Sequence, residues 1–424
     1  MSKDNQENSQ REKKDRNKAE ELLKIAEEAE RKAKYQKEQK QREVKEREKA
    51  ADLLRKIEMI SKEKKERTNW SKATNFASKT SSKKSDYENS STNDENINFF
   101  VEIFGKIGEA EGLGKFSFKQ FFGGINGKHS EEEFVKNLFV GTKGTTPLIK
   151  DISTEYPQPW IFSRLLIIAL VIFYAFKFAY DQSPNPIYIP ALIVTGSFGI
   201  PLSTLLLFLE LNVRRNIPIW TIAKLFLAGA VLSLFINQVL FQSTLSFLGW
   251  AGASAAAVTE EPAKLVALVV LAKGKKKYPY ILNGLLLGAA VGCGFAAFES
   301  AGYAYSNTEY YEGFFNVITI RGILSPFAHI VWTAVAGAAL WRVKKDNSFS
   351  LKHLQNKKFY MPFIVMIFCH SLWNSPIQLP LLGKYIICGL IAWIVALALV
   401  NLGIKQISEE KSGKKIFKNN NNCN

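Results

Sequence analysis

Four hydrophobic stretches of the sequence contain ionisable or amide side chains that a lipid environment disfavours. The residues concerned are Glu260, Glu261 and Lys264 in ASAAAVTEEPAKLVALVV, Glu299 in GFAAFES, His329 in SPFAHIVWTA, and His370 and Asn374 in CHSLWN. An ionisable group in the middle of a bilayer costs at least about 2.5 to 3.5 kcal/mol on insertion scales, so it needs a partner or a cavity. Helix packing alone would be served at lower cost by Ser, Thr or Gly. We therefore expect these side chains to form a functional cluster.

The spacing within each stretch predicts which side chains share a helix face. Glu260 and Lys264 are four residues apart and stack on one side of a helix, whereas Glu261 points elsewhere and reaches Lys264 at a separation of three. Phe295 lies four residues before Glu299 and would give this carboxylate an apolar wall. His370 and Asn374 also share a face, since they are four residues apart.

The depth of each group in the membrane follows from the rise of a helix, 1.5 Å per residue. Glu260, His329 and His370 are each about 16 to 18 Å from the predicted cytoplasmic end of their segment. By the same count, Glu299 is about 28 Å from the predicted cytoplasmic end of its segment. We therefore expect the first three groups and Asn374 to converge near the middle of the membrane. For Glu299, either its helix is tilted or begins later, or the cavity opens outward and Glu299 lines its mouth. Arg321 is interpreted as an anchor at the membrane interface.

A glutamate beside a histidine in a partly dry cavity is a general-base arrangement, in which the carboxylate deprotonates a water for attack on a carbonyl. A second histidine with an amide can donate hydrogen bonds to the developing oxyanion. Alternatively, a glutamate and two histidines, here Glu260, His329 and His370, are suitable zinc ligands that leave one position open for water. Both routes lead to peptide-bond hydrolysis.

The elements that carry these residues are hydrophobic segments long enough to cross a bilayer core of about 30 Å. They cover approximately 161–180, 187–209, 217–241, 244–272, 280–304, 314–342, 360–376 and 384–404. The sequence therefore predicts an all-α, polytopic membrane helix bundle of about eight spans, preceded by a charged and partly disordered N-terminal cytoplasmic region.

The positions of Lys and Arg predict how the bundle is oriented. The chain has a formal net charge of +17, and its basic loops contain Arg214 and Arg215, residues 273–277 and residues 342–358. These are the second, fourth and sixth loops, which the positive-inside rule assigns to the cytoplasm together with both termini. In the last outer loop, Lys384 alone breaks the pattern. This distribution fits membrane topology better than nucleic-acid binding, so no nucleic-acid partner is expected.

Composition divides the chain into five regions. Residues 1–68, rich in Lys, Glu, Ala and Gln, are predicted to form a charged helical or coiled-coil tail. Residues 69–98 are rich in Ser, Thr, Asn and Lys and are predicted to be a disordered linker. Residues 99–159 form a small cytoplasmic juxtamembrane region, 160–405 the membrane core, and 406–424 a basic cytoplasmic tail.

Two short patterns predict local structure. Ser130 and Glu133 have the spacing of a capping box that opens a short helix. Gly284, Gly288 and Gly292 form a small-residue stripe, which would let a neighbouring helix backbone approach closely. Two histidines in polar loops, His129 and His353, are interpreted as solvated.

The successive motifs EEPAK, FAAFE, HIVWT and HSLWN resemble those of the PrsW family of intramembrane proteases. This family belongs to the superfamily that includes CAAX prenyl endopeptidases and bacteriocin-processing membrane proteins. The resemblance covers roughly residues 147–403, including YPQPWIFSR and LELNVRRN. It implies an intramembrane endopeptidase of a bacterial cell membrane that cuts a membrane-anchored protein, such as an anti-sigma factor.

The resemblance also implies which residues form the site: Glu260, Glu261, Glu299, His329, His370 and Asn374, supported by Lys264 and Phe295. By similarity to the prenyl endopeptidases, a glutamate of the pair and a histidine would activate water, and His370 with Asn374 would hold the oxyanion. Those enzymes have a histidine in the second motif, whereas this sequence has Glu299, as PrsW-like proteins do. Because family members are viewed both as metalloproteases and as metal-independent glutamate proteases, zinc is one of two possibilities.

A different interpretation uses the same glutamates and histidines as the relay of a proton-coupled transporter. The lack of an internal repeat between the two halves of the sequence argues against it. The partners expected for the protease are a single-span membrane protein as substrate, the lipid bilayer, and a cytoplasmic partner for the N-terminal tail.

Overall fold

The structure, a computed structural model, describes residues 121–153, 155–272, 278–309 and 311–417. All regular secondary structure in these ranges is helical, as predicted. The α-helices are α1 (Glu131–Leu138), α2 (Ile161–Gln182), α3 (Tyr188–Leu211), α4 (Ile219–Leu248), α5 (Ala256–Ala272), α6 (Ile281–Ser306), α7 (Tyr311–Leu324), α8 (His329–Lys344), α9 (Lys357–Asn374) and α10 (Gly383–Lys411). The predicted coiled-coil tail and linker lie outside the described residues.

Six stretches of the described chain are long and apolar enough to cross a membrane. They are Ile161–Gln182, Tyr188–Leu211, Ile219–Thr244, Ile281–Ser306, Gly313–Lys344 and Gly383–Lys411. The predicted count of eight spans is therefore not confirmed. The two remaining predicted segments, 244–272 and 360–376, correspond to the shorter helices α5 and α9, which have 17 and 18 residues. A helix of 17 residues is about 26 Å long, less than the thickness of a typical bilayer core.

Short turns interrupt two of the predicted segments. Polar residues of the predicted cluster lie on the helices that begin after these turns. A 3₁₀ turn, Gly249–Ala255, separates α4 from α5, and within it Gly252 has a φ of 56°, a left-handed conformation that glycine adopts without strain. A second 3₁₀ turn, Ser325–Phe327, separates α7 from α8. His329 is therefore the first residue of α8 rather than the middle of a continuous helix.

The small-residue stripe of α6 allows close contact with α8, as its spacing predicts. A Cβ atom added to Gly288 would lie 2.3 Å from the carbonyl oxygen of Thr333, and one added to Gly292 would lie 2.4 Å from that of His329. Any side chain at these positions would force the two backbones apart. α6 and α8 are the most completely buried of the long helices, so this contact forms the centre of the bundle.

The juxtamembrane region contains the predicted capping box, in which the Ser130 hydroxyl accepts a hydrogen bond from the backbone N–H of Glu133 at 3.2 Å. His129 is less solvated than predicted, because its ring stacks on Trp160 with 3.8 Å between ring centroids. The Glu210 carboxylate accepts hydrogen bonds from the first backbone N–H groups of α2, at 2.7 to 3.0 Å. The entry of the chain into α2 is therefore tied to the end of α3.

The described part of the predicted C-terminal tail packs onto the bundle. Residues 406–411 continue α10, and the buried ring of Phe417 lies 5.2 Å from that of Tyr280, measured between centroids. The Lys411 ammonium donates to the carbonyl of Ile152 at 2.9 Å. The predicted boundary at residue 405 therefore falls inside a helix.

Candidate active site

Polar residues from α5, α6, α7, α8 and α9 meet at a cavity of about 720 Å³. Its lining includes Glu260, Glu299, Arg321, His329, His370 and Asn374. A cavity of this size can hold several side chains of a peptide. The structure thus brings together in one place the groups that the sequence analysis found on four separate hydrophobic stretches.

On α5, the acidic pair and the lysine adopt the contacts that helical spacing predicts. Lys264 donates from Nζ to Glu261 Oε1 at 2.6 Å, and its Nζ lies 4.0 Å from Glu260 Oε2. All three side chains are buried, with Lys264 inaccessible to solvent. A buried ammonium requires such partners, because desolvation of an unpaired charge is costly.

His370 on α9 is held between Glu261 and Asn374. Its Nδ1 lies 2.8 Å from Glu261 Oε1, and its Nε2 lies 3.1 Å from the amide nitrogen of Asn374. Because the Glu261 carboxylate already accepts from Lys264, it is an acceptor here, so Nδ1 of His370 is the protonated nitrogen. Nε2 then carries the lone pair, accepts from Asn374 and lies 3.7 Å from Glu260 Oε2.

His329 on α8 likewise lies between a carboxylate and a second hydrogen-bond partner. Its Nε2 lies 3.1 Å from Glu299 Oε2, and its Nδ1 lies 2.9 Å from Lys264 Nζ. Since a carboxylate accepts and an ammonium donates, Nε2 is protonated and Nδ1 carries the lone pair. This Nδ1 is 3.9 Å from Glu260 Oε2. Each histidine therefore donates to one carboxylate, and its other ring nitrogen accepts a hydrogen bond, from Asn374 in His370 and from Lys264 in His329. Glu260 Oε2 lies 3.7 and 3.9 Å from these two ring nitrogens.

Glu299 is part of the cluster, and its carboxylate also lines the cavity. Arg321 donates from Nη2 to Glu299 Oε2 at 2.6 Å and from Nε to the Ser300 hydroxyl at 3.1 Å. Arg321 is therefore a partner of the site, and its interpretation as an interfacial anchor is wrong. One signal in the sequence could have identified it: Arg321 is the one charged residue of the His329 segment away from its cytoplasmic end, and it would complement the carboxylate predicted on α6.

Aromatic rings close the apolar side of the cluster. The Phe295 ring centroid lies 4.5 Å from Lys264 Nζ and 5.2 Å from the centroid of the His329 ring. Trp332, which the sequence analysis did not single out, stacks on His370 with 4.5 Å between centroids. These rings limit the rotation of both imidazoles and exclude water from their far side.

Glu260 Oε2 is the polar atom at the centre of the arrangement. It is buried and has no hydrogen-bond partner. One ligand atom from each of Glu260, His329 and His370 can be chosen so that all three lie within 4.8 Å of one another. Histidines that bind metals commonly donate their second N–H to a carboxylate, as both do here. Glu260, His329 and His370 therefore supply a ligand set that suits a metal such as zinc. Binding of a metal there would replace the hydrogen bonds that Lys264 and Asn374 donate to the two ring nitrogens.

Residues 217–400 match the family model described as PrsW family intramembrane metalloprotease. The match includes the whole cluster, from Glu260 to Asn374. Comparison of the chain with curated proteins and with solved structures gives no match. The matched part of this multi-pass membrane protein is a PrsW family domain, and the protein is an intramembrane protease.

Proposed function

We propose that this domain hydrolyses a peptide bond of a membrane-anchored protein at the cavity, and that Glu260, His329 and His370 bind and activate the attacking water. The observation that carries the proposal is the pairing of both histidines with carboxylates while Glu260 Oε2 has no hydrogen-bond partner. The family match offers no support for the proton-coupled transporter.

Each of the three glutamates has its own role in this proposal. Glu261 and Glu299 accept the second N–H of His370 and His329, which holds each ring in one orientation and one tautomer. In the metal-independent route, Glu260 Oε2 accepts a proton from water as the water attacks the scissile carbonyl. Because Nε2 of His370 carries a lone pair, His370 becomes a donor to the developing oxyanion only after it takes up a proton. The Asn374 amide becomes available to the oxyanion once it no longer donates to Nε2 or to the Ala253 carbonyl.

A metal would be held by Glu260, His329 and His370. Bound there, zinc would supply a Lewis acid that polarises the water or the scissile carbonyl. Elemental analysis of the purified protein tests this assignment without reference to activity: we expect about one equivalent of metal per chain, and less after His370→Gln. Cleavage that continues in metal-free, chelator-treated protein would instead support the metal-independent use of Glu260 as general base.

Hydrolysis is tested with Glu260→Gln, which keeps the shape of the side chain but removes the base. We expect cleavage of a single-span substrate by protein in vesicles to fall about 10²- to 10⁴-fold, with unchanged membrane insertion. Glu131→Gln on the exposed first turn of α1 is the matched control and should cleave like the wild type. A Glu260→Gln variant that still processes the substrate would overturn the role of Glu260.

The cellular setting extends this proposal. The family resemblance supports a bacterial cell membrane location. The positive loops and basic termini support placing both termini in the cytoplasm, with α5 and α9 completing a set of eight membrane segments. We propose as substrate an anti-sigma factor that is anchored by one membrane span. That the N-terminal tail binds a cytoplasmic partner stays a prediction. A substrate trap with Glu260→Gln, followed by mass spectrometry, would identify the bound protein; recovery of no single-span protein would contradict this substrate class.

A further inference from the structure

The charged groups around the cavity are mostly paired with one another. Lys264 pairs with Glu261, and Arg321 pairs with Glu299. A further cation, Lys384, lies in the cavity wall. This is the residue that breaks the positive-inside pattern of the loops, so its position requires an explanation other than topology.

Lys384 is a buried cation without a carboxylate partner. It lies in the first turn of α10 and is 3% exposed. Its Nζ donates to the carbonyl of Ser375 at 2.6 Å and lies 4.9 Å from the centroid of the Tyr385 ring. No Asp or Glu among the described residues comes within ion-pair distance of this ammonium, and the first turn of α10 contains no acidic residue.

This position is unfavourable for lysine unless an anion joins it. A buried charge is costly unless it is paired and hydrogen-bonded, and the Ser375 carbonyl engages only one of three N–H donors. The N-terminal end of a helix carries partial positive charge, which disfavours a cation and favours an anion. Lys384 and the start of α10 therefore give one part of the cavity wall a positive potential.

We propose that Lys384 binds a carboxylate of the substrate. The inference rests on the proposed proteolytic function, because the same cavity contains Glu260 and the two histidines. An Asp or Glu side chain a few residues from the scissile bond, or the carboxylate at the end of the substrate chain, would supply this group. Lys384 is then a specificity-determining residue that selects acidic substrates and places them relative to Glu260.

The test uses a synthetic peptide library in which each peptide has one variable position, with protein reconstituted in phosphatidylcholine vesicles so that no anionic lipid is present. Mass spectrometry identifies the cleaved bonds. For the wild type we expect Asp and Glu to be enriched about tenfold over Asn and Gln at one position. Peptides with free and with amidated C-termini separate the two sources: a preference that requires the free terminus assigns the carboxylate to the chain end.

Variants of Lys384 distinguish recognition from a structural role. Lys384→Gln should lose the acidic preference, Lys384→Arg should retain it, and Lys384→Glu should shift it toward Lys and Arg. Lys352→Gln, a substitution of an exposed loop lysine, is the matched control and should leave the preference unchanged.

Two results would overturn the inference. One is a wild-type profile without acidic preference. The other is a Lys384→Gln variant that cleaves all peptides more slowly but keeps the wild-type profile, because that would mean the lysine only fixes the end of α9 through Ser375. Absence of any Glu260-dependent cleavage would contradict the proposed function itself. Both results described above require that cleavage is observed, so failure of this inference is distinguishable from failure of the proposed function.

Discussion

The two halves of α6 lie in opposite environments. In the first half, Gly284, Gly288 and Gly292 bring its backbone into direct contact with α8. In the second half, Glu299 and Ser300 hold Arg321 beside the polar cavity. The comparison teaches that α6 is positioned against α8 by close backbone packing in the half that contains no catalytic side chain. The catalytic groups occupy the part of the same helix that the close-packed half keeps in place.

The largest effect is expected in the close-packed half. In Gly288→Val, the new side chain meets backbone atoms of Thr333 and Ala334, so α6 and α8 must separate. We expect a loss of about 3 kcal/mol in the free energy of unfolding, since overpacking of a rigid contact has costs of this size. Thermal unfolding of the purified protein measures the loss, and cleavage should fall with it because His329 lies on α8.

Gly302→Ala is the matched control in the other half of α6. A Cβ atom at Gly302 would meet no atom within 4 Å. Alanine is favoured over glycine in a helix by about 0.5 to 1 kcal/mol, so this variant should be as stable as the wild type or slightly more stable. Equal unfolding temperatures for Gly288→Val and the wild type would contradict the structural role of the stripe.

An intermediate effect is expected in the cavity half. Glu299→Gln keeps the shape of the side chain but removes the charge that accepts from Arg321 and orients His329. Loss of a partner that orients a catalytic or metal-binding histidine typically reduces activity about 10- to 100-fold. We expect this reduction in the cleavage rate, with a smaller change in unfolding temperature than in Gly288→Val.

Ser300→Ala controls for the neighbouring contact, because it removes only the hydroxyl that accepts from Arg321 Nε. Its cleavage rate should stay within about threefold of the wild type, because the contact of Arg321 with the Glu299 carboxylate remains. If Glu299→Gln cleaves as fast as Ser300→Ala, Glu299 has no orienting role.

The smallest effect is expected outside both halves. His353 caps a short turn by accepting from the backbone N–H of Ser350 at 3.0 Å. His353→Gln should change the free energy of unfolding by about 0.5 kcal/mol or less and leave the cleavage rate unchanged. If His353→Gln cleaves as slowly as Glu299→Gln, residues outside the cavity are also required for cleavage.

Local features of the site could be predicted from sequence because they depend only on helix geometry. The contact of Glu261 with Lys264 follows from a separation of three residues, and that of His370 with Asn374 from a separation of four. The close approach at Gly288 follows from the same periodicity. The two side-chain contacts require no knowledge of a second helix, whereas the glycine stripe does not say which helix packs against it.

Features that depend on how helices are placed could not be predicted in this way. The depth count for Glu299 assumed straight helices perpendicular to the membrane, whereas the 3₁₀ turn before His329 brings Arg321 and His329 to the same carboxylate. Hydropathy predicts one helix over the segment 244–272, because no charged residue marks a break near Gly252. Its break depends on the backbone of Gly252, which hydropathy does not report.

The pairing of charges between helices has a consequence for biogenesis. Lys264 on α5 contacts His329 on α8, and Glu261 on α5 contacts His370 on α9, so α5 obtains these polar partners only after later parts of the chain have been synthesised. An uncompensated charged helix enters lipid poorly. On the proposal above that α5 is a membrane segment, chains that end before α8 should leave α5 outside the bilayer, and glycosylation mapping of nascent chains of increasing length would detect its late entry. Stable integration of α5 at the shortest length would show that it inserts on its own.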